Sequence, residues 1–364
     1  MSSTSERTRL MIIGGFLGAG KTTTILRLAE LLQANGMRFG IVTNDQGSDL
    51  VDTHFLRAHG LVVNEVTGGC FCCNFDQFAA ALGSYREQAD VVLAEPVGSC
   101  TDLVATLFRP LRAEQTSRFE IAPLSVVIDP RRARRFLAST GSPEINYLFE
   151  KQAEEADILL LNKTDSLSPD ESRALRSQLE ERFPGRPVLE ISARDGTGLD
   201  ELMHLSGTAE HRDRALTISY DRYGESEAAL GWLNLRAILP SPSANGAPAE
   251  RDGNALATAL LDGIAGAARD AEWEIAHAKL YLVSGLDYAK ASLTETEGTP
   301  SLDERMNTRG GTLELVLNAR VAADPDELTE TVHDVIARLV PEVEFQTESA
   351  FRPSYPTPTH RIVS

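Results

Sequence analysis

From residue 9 to about 207 the chain alternates short apolar runs with longer stretches whose apolar positions recur at helical spacing. Runs at 10–13, 39–43, 61–66, 91–94, 124–128, 158–161 and 188–191 have the length of buried strands. Stretches such as 22–34 and 169–182 read as helices between them. Strands separated by helices predict an α/β domain over residues 9–207, a mostly parallel sheet covered by helices. Right-handed crossovers then bring every strand's carboxyl end to one edge, where ligands of open α/β sheets bind.

The pattern changes after Gly207. Strands are expected at 216–220, 231–239, 274–283, 313–317 and 342–347, with helices at 254–269 and 325–339. Several strands with two helices suggest a smaller α+β domain over 215–350, with a ferredoxin-like arrangement as the candidate. The segment 240–248 and the polar stretch 289–311 read as loops. Residues 351–364 carry three prolines and read as an extended tail.

Composition narrows the role. Lys and Arg number 35 against 53 Asp and Glu, a net charge of −18. That argues against a nucleic acid or an anionic membrane as the main partner, since both need a basic surface. No apolar run approaches the roughly 20 residues of a membrane span. The start of the chain lacks the apolar core and cleavage site of a signal peptide, so a cytoplasmic protein is expected. Three of the four cysteines lie within the run Cys70-Phe71-Cys72-Cys73, which cannot form a disulfide framework. In a reducing compartment such clustering favours metal or redox chemistry.

Gly15-Phe-Leu-Gly18-Ala19-Gly20-Lys21-Thr22 follows the first strand and opens the first helix, the context a phosphate-binding loop requires. Its glycines let the backbone wrap phosphates, and amides at the helix start donate to them. Lys21 is placed to reach the β and γ oxygens and Thr22 to hold Mg²⁺. Asn162-Lys163-Thr164-Asp165 follows another strand and matches the guanine-reading pattern. The Asp165 carboxylate can accept from the ring N1–H and the exocyclic amine, donors that adenine lacks. Ser192-Ala193, after the strand at 188–191, is placed to meet guanine O6. Together the three elements identify the nucleotide as GTP.

Glu95-Pro-Val-Gly98 offers an acidic residue for the Mg²⁺ shell or the attacking water, and the Gly98 amide for the γ-phosphate. Asn44-Asp45-Gln46-Gly47 is a second candidate γ-phosphate sensor, with Asp45 the residue expected to act. Cys70, Cys72 and Cys73 supply three thiolates for one soft cation, and Gly68-Gly69 gives their loop freedom to fold. A fourth ligand is open among Cys100, Glu65, a histidine such as His54 or His59, or a partner's residue. A redox pair or inert packing are the other readings of the cysteines.

The run Gly14-Gly-Phe-Leu-Gly-Ala-Gly-Lys-Thr22-Thr23, with Gly69-Cys-Phe-Cys-Cys73, Glu95-Pro-Val-Gly98 and Asn162-Lys-Thr-Asp165, resembles the CobW family of P-loop GTPases, whose class also holds UreG, HypB and MeaB. The resemblance covers residues 9–207. It implies GTP hydrolysis, with Lys21, Glu95 and Asp45 in catalytic roles, and handling of zinc or cobalt. It also implies delivery to a client metalloprotein or a cobalamin-pathway enzyme. Departures are Asn44-Asp45-Gln46-Gly47 where relatives usually have Asn-Glu-Phe-Gly, and 7 scattered histidines without a histidine-rich stretch. The region after 215 carries no motif that matches the usual C-terminal domain. A signalling or assembly GTPase with a structural zinc site is the alternative from another class, and an ATP-dependent kinase is a third.

Overall fold

The computed structural model describes residues 7–44, 51–115, 119–241, 243–244, 247–248 and 251–363. The chain divides into two compact units, one comprising Met1–Gln46, Gly60–Tyr223 and Tyr355–Ser364, the other Gly47–His59 and Gly224–Ser354.

The first unit is built on the strands β1 (Thr8–Gly15), β2 (Phe39–Asn44), β3 (Val63–Val66), β4 (Val91–Glu95), β5 (Phe119–Ile121), β6 (Ser125–Ile128), β7 (Ile158–Leu161) and β8 (Val188–Glu190). All pair in parallel in the order β3-β2-β4-β1-β6-β7-β8, with β5 also on β1. The runs Leu10–Ile13, Val91–Ala94 and Ile158–Leu161 are apolar at every position because both faces are covered. Helix α1 (Lys21–Ala34) follows β1, α2 (Val51–Ala58) follows β2, and α3 (Phe75–Gly83) follows β3. A wide helical turn at Val104–Phe108 runs into α4 (Arg109–Gln115). Then come α5 (Pro130–Leu137), α6 (Pro143–Glu155), α7 (Pro169–Arg182) and α8 (Leu199–Thr208). Their starts carry local signals. Asp129 and Ser142 cap helices that begin with proline, and Ser168 forms a reciprocal capping pair with Glu171.

The second unit begins with the described residues of Gly47–His59, including α2, so a stretch between β2 and β3 belongs with the later chain. There follow α9 (Tyr220–Ala228), which begins in the first unit, β9 (Gly231–Leu239), the short pair β10 (Ser243–Ala244) and β11 (Ala247–Pro248), and α10 (Gly253–Asp270). The chain continues through β12 (Ile275–Ser284), β13 (Asp287–Leu293), β14 (Ser301–Glu304), β15 (Leu313–Val321), α11 (Pro325–Leu339) and β16 (Glu344–Phe351). The antiparallel sheet runs β14-β13-β12-β15-β9-β16. Its β9-α10-β12-β15-α11-β16 portion has the β-α-β-β-α-β order of a ferredoxin-like unit, extended at one edge by β13 and β14. Leu256, Leu260 and Ile264 of α10 and Leu328, Val332 and Ile336 of α11 pack on alternate residues of the sheet.

Three expectations fail here, one of them at 240–248, where the expected loop carries the short antiparallel pair β10-β11. Residues 216–219 form no strand, and α9 starts at Tyr220. Among the described residues no strand pairs with that run, and its side chains are half-buried or exposed, so nothing there draws it into a ladder. The stretch expected as a loop at 289–311 contains most of β13 and all of β14. There the inward positions Ala289, Ala291 and Leu293 are buried, but two are alanines too small to raise the local hydropathy. No described helix is long and apolar enough to cross a membrane.

Candidate nucleotide and metal site

The phosphate loop leaves β1 at Gly15, which adopts φ 133 against the Val127 backbone, where an added Cβ would lie 2.4 Å from the Val127 carbonyl oxygen. Gly18 and Gly20 also have positive φ, at 74 and 103, and Gly20 starts α1 in the left-handed region. Ala19 is buried, and Thr23 follows Thr22 into the first turn of α1. Lys21 is buried, its Nζ donating to the Phe16 carbonyl at 3.4 Å and lying 4.0 Å from Glu95. The Thr22 hydroxyl donates to Glu95 Oε1 at 3.0 Å. Glu95 ends β4, so the lysine, hydroxyl and carboxylate meet at the carboxyl edge of the sheet. A Cβ on Gly98 would lie 2.8 Å from Leu17 Cδ2 and 2.9 Å from Lys21 Nζ, so a residue without a side chain lets this turn pass close to the lysine. The threonine and glutamate oxygens are hard donors of the kind Mg²⁺ takes. Asp45 lies outside the described residues.

The guanine motif is wired to the phosphate loop. Asn162 Nδ2 donates to the Ala19 carbonyl at 2.8 Å, and its Oδ1 accepts from the Ala193 amide at 2.9 Å. Lys163, at φ 59, donates to the Gly18 carbonyl at 2.9 Å and pairs with Asp129 at 2.6 Å. Burial disfavours the charge on Asp129, but the Lys163 ammonium and the Arg131 and Arg132 amides outweigh it and lower its pKa. The Ser192 hydroxyl donates to Asp165 at 2.9 Å, and Arg194 stands 3.6 Å from the same carboxylate. Asp165, Ser192 and Ala193 thus gather beside the strut that Asn162 makes. Asp129 escaped the sequence reading. Asp129-Pro130 announces a helix start, but only the fold reveals its partner Lys163.

The cysteine loop follows β3. Gly68 and Gly69 take φ 79 and 153, and a Cβ on Gly69 would lie 2.8 Å from Asn74 Nδ2. The Cys70 carbonyl accepts from the Cys73 and Asn74 amides, both at 3.0 Å, which curls the run into a tight turn. Phe71 is buried and stacks on Phe78 of α3 with ring centroids 4.1 Å apart, which anchors the loop to that helix. Cys70 Sγ lies 3.2 Å from Cys73 Sγ, and Cys72 Sγ lies 3.9 Å from it. Bonds of about 2.3 Å to a tetrahedral ion require sulfurs about 3.8 Å apart, so the donor set fits Zn²⁺. Hydrogen bonds from neighbouring cysteine side chains hold the Cys70 thiol well below its ordinary pKa, while the same network and burial push Cys72 up.

Two supports of this loop escaped the sequence reading. The Asn44 side chain, at the end of β2, donates to the Val66 and Gly69 carbonyls at 2.9 and 2.8 Å and accepts from the Phe71 amide at 2.7 Å. From the tail, the Thr359 amide donates to the Cys72 carbonyl at 2.9 Å, and the Thr359 hydroxyl to the Cys73 carbonyl at 2.9 Å. Among the described residues, Cys70, Cys72 and Cys73 are the set of candidate ligands lying mutually within 4.8 Å. Glu65 is half-buried on β3. His54 and His59 belong to the second unit, where they face Tyr281 and Tyr288.

Comparison with known proteins gives a consistent picture. Residues 9–190, half of the 364-residue chain, match the model for the CobW/HypB/UreG nucleotide-binding domain. The chain is 29% identical over 219 residues to the zinc chaperone YeiR of Escherichia coli (strain K12), covering 56% of this chain and 63% of that protein. It is 30% identical over 211 residues to the zinc chaperone CobW of a Sinorhizobium species, covering 51% and 58%. The chain therefore spans about three fifths of the length of the curated relatives it matches. A solved structure of HypB from Helicobacter pylori in complex with nickel is similar at TM-score 0.42 and 17% identity, over 59% of this chain and 92% of that one.

Proposed function

Because the chain belongs to the CobW family of P-loop GTPases, we propose that it binds and hydrolyses GTP and carries zinc, or cobalt, on Cys70, Cys72 and Cys73 for delivery to a client protein. The observation that carries this reading is the Asn44 side chain, which joins the carboxyl end of β2 to the cysteine loop through three hydrogen bonds. The metal loop and the nucleotide edge thereby share one strut.

In this reading the backbone of Gly15, Gly18, Ala19 and Gly20 cradles the phosphates, and Lys21 neutralises charge on the β and γ oxygens. Thr22 and Glu95 would hold Mg²⁺, which when bound screens the charge that develops on the phosphates. Glu95 also orients the attacking water, and the Gly98 amide donates toward the γ-phosphate. Asp165 accepts from guanine, while Ser192 and Ala193 face its O6. The similarity to proteins named zinc chaperones favours zinc as the cargo.

Titrating Zn²⁺ and Co²⁺ into the apo, GDP-bound and GTP-analogue-bound chain tests the link. Metal affinity is expected to differ at least fivefold between the two nucleotide states, with a reciprocal change in nucleotide affinity. Equal affinities in all three states would leave a metal-binding GTPase without coupling. The burial of Cys70 and Cys72, 4% and 2% exposed, favours a second reading, a structural zinc site. Loss of folding on Cys72→Ser would support it.

A further inference from the structure

We propose that residues 356–363 form a removable strap over the cysteine loop, latched by Arg361 on the carboxylate of Asp102. The proposal rests on the reading of that loop as a metal site and adds the element that sets how fast its thiols are reached. The segment belongs to the first unit although it follows the second in sequence, and it carries no helix or strand of its own. Its contacts fall on two stretches of that unit. The Thr359 amide and hydroxyl donate to the Cys72 and Cys73 carbonyls, both at 2.9 Å. Next to it, the His360 ring meets Phe75 of α3 edge to face, with centroids 4.9 Å apart. Farther along, the Ile362 amide donates to the Ala105 carbonyl at 2.9 Å, and the Ile362 carbonyl accepts from Arg109 Nη1 at 3.1 Å. One segment thus ties the loop after β3 to the stretch after β4 that carries Cys100, Asp102 and Ala105.

The latch is the strongest of these contacts. Arg361 Nε donates to Asp102 Oδ2 at 2.7 Å, and the Tyr220 hydroxyl donates to the same oxygen at 2.8 Å. The guanidinium also lies 5.0 Å from the Tyr220 ring centroid. The Asp102 side chain is 0% exposed, and a carboxylate so buried holds its charged partner firmly. The rest of the segment is held lightly. Of residues 355–363 only Pro356 is buried, while Tyr355, Thr357, Thr359 and Val363 are exposed. Few buried apolar contacts and hydrogen bonds close to solvent mark a segment that opens without the unit unfolding. Cys70 and Cys72, by contrast, are 4% and 2% exposed, so an acceptor reaches them only when something beside them moves. The segment bonded across their loop is the part whose release costs least. Seated, it fixes the Cys72 and Cys73 carbonyls; released, it frees the loop to open.

Alkylation of the metal-free full chain with iodoacetamide, resolved at each cysteine by fragmentation mass spectrometry, tests the strap without any metal. Arg361→Ala should speed modification of Cys72 by about tenfold or more, the scale of losing one charged hydrogen bond from the closed form. Arg361→Lys should fall between that variant and the native chain. Equal rates at Cys72 in the native chain and Arg361→Ala would overturn the strap. Loaded with Zn²⁺, the three chains should pass the ion to a chelator in the same order of rate, with GTP-analogue affinity unchanged. Equal transfer rates beside faster alkylation would overturn the role in metal exchange. A chain that takes up no zinc would refute the metal site and leave the alkylation rates to judge the strap. If Arg361→Ala does not fold, amide hydrogen exchange of the native chain decides. The Thr359 and Ile362 amides should exchange well before those of β1, and equally slow exchange would overturn the proposal, since a strap that opens only with the whole unit gates nothing.

Discussion

The Thr22 hydroxyl and the Glu95 carboxylate are hydrogen-bonded at 3.0 Å, and both are 6% exposed. The pair ties the start of α1 to the end of β4. Glu95→Gln should keep the bond's geometry while removing the charge. Single-turnover GTP hydrolysis is expected to fall about 100-fold or more, the usual scale for losing a positioned acid–base group. GTP-analogue affinity measured at equilibrium should stay within about fivefold. A variant hydrolysing at the native rate would remove Glu95 from the chemistry.

Asp165 carries guanine recognition. Asp165→Asn should weaken GTP by about 30-fold or more, because a donor then faces the donors of guanine. Xanthosine triphosphate, which presents an acceptor there, should bind the variant better than GTP. Competition of both nucleotides against a fluorescent analogue reads the reversal directly.

Asn44→Ala would strip two carbonyls and one amide of their partner in a buried setting. Buried groups left unsatisfied cost about 1–3 kcal/mol each. A loss on the order of 3 kcal/mol in chemical denaturation is expected, with zinc affinity falling more than nucleotide affinity. Unchanged zinc binding would show that the loop holds its shape without the strut.

Glu155 gives the first unit a pH signature. Burial pushes its carboxyl up to about 8, against the pull of the Val104 amide, which donates to it at 2.7 Å. A folded-state pKa above the unfolded one means the contribution is complete below about pH 4.5 and lost as pH rises through about 8. At about 1.4 kcal/mol per unit, the loss across that window is on the order of 5 kcal/mol. The stability difference between the native chain and Glu155→Gln should therefore shift with pH between 5 and 8. A constant difference would place the Glu155 pKa near that of an ordinary carboxylate.

Asp52 plays the opposite part in the second unit. Burial opposes its charge, but the ammonium groups of Lys279 and Lys290 outweigh that and hold its carboxyl far below the usual range. Lys290 is also buried, with Nζ 3.5 Å from the Phe55 ring centroid. Asp52→Ala leaves two buried cations without this partner, and a loss of about 3–5 kcal/mol is expected. A depressed pKa gives stability that is complete above the unfolded value near 4 and is lost progressively as pH falls from there through the folded one. The deficit of the variant, read by urea denaturation, should therefore persist down to about pH 3.

Strands and the nucleotide elements were legible because each announces itself locally. β7 is an unbroken apolar run, and Gly15 to Thr22 combines a spacing with a strand before it and a helix after it. The βαββαβ order was legible for the same reason, since Pro325 and the apolar spacing of α11 mark its helix. What stayed hidden depends on contacts far apart in sequence. Nothing near Asn44 says that it will hold the Phe71 amide, 27 residues on. In β13, Lys290 is buried between alanines, a pattern that reads as polar until Asp52 and Phe55 are brought to it.

The order in which a ribosome delivers this chain follows from the tail. The two hydrogen bonds that Thr359 gives to Cys72 and Cys73 belong to the first unit, yet Thr359 is translated after every residue of 224–354. A nascent chain that has just released β8 already holds the phosphate loop, the guanine motif and all four thiols. Its cysteine loop must then wait, without that cover, while residues 224–354 of the second unit are made. Loading of metal during synthesis and loading after it would thus meet two different surfaces.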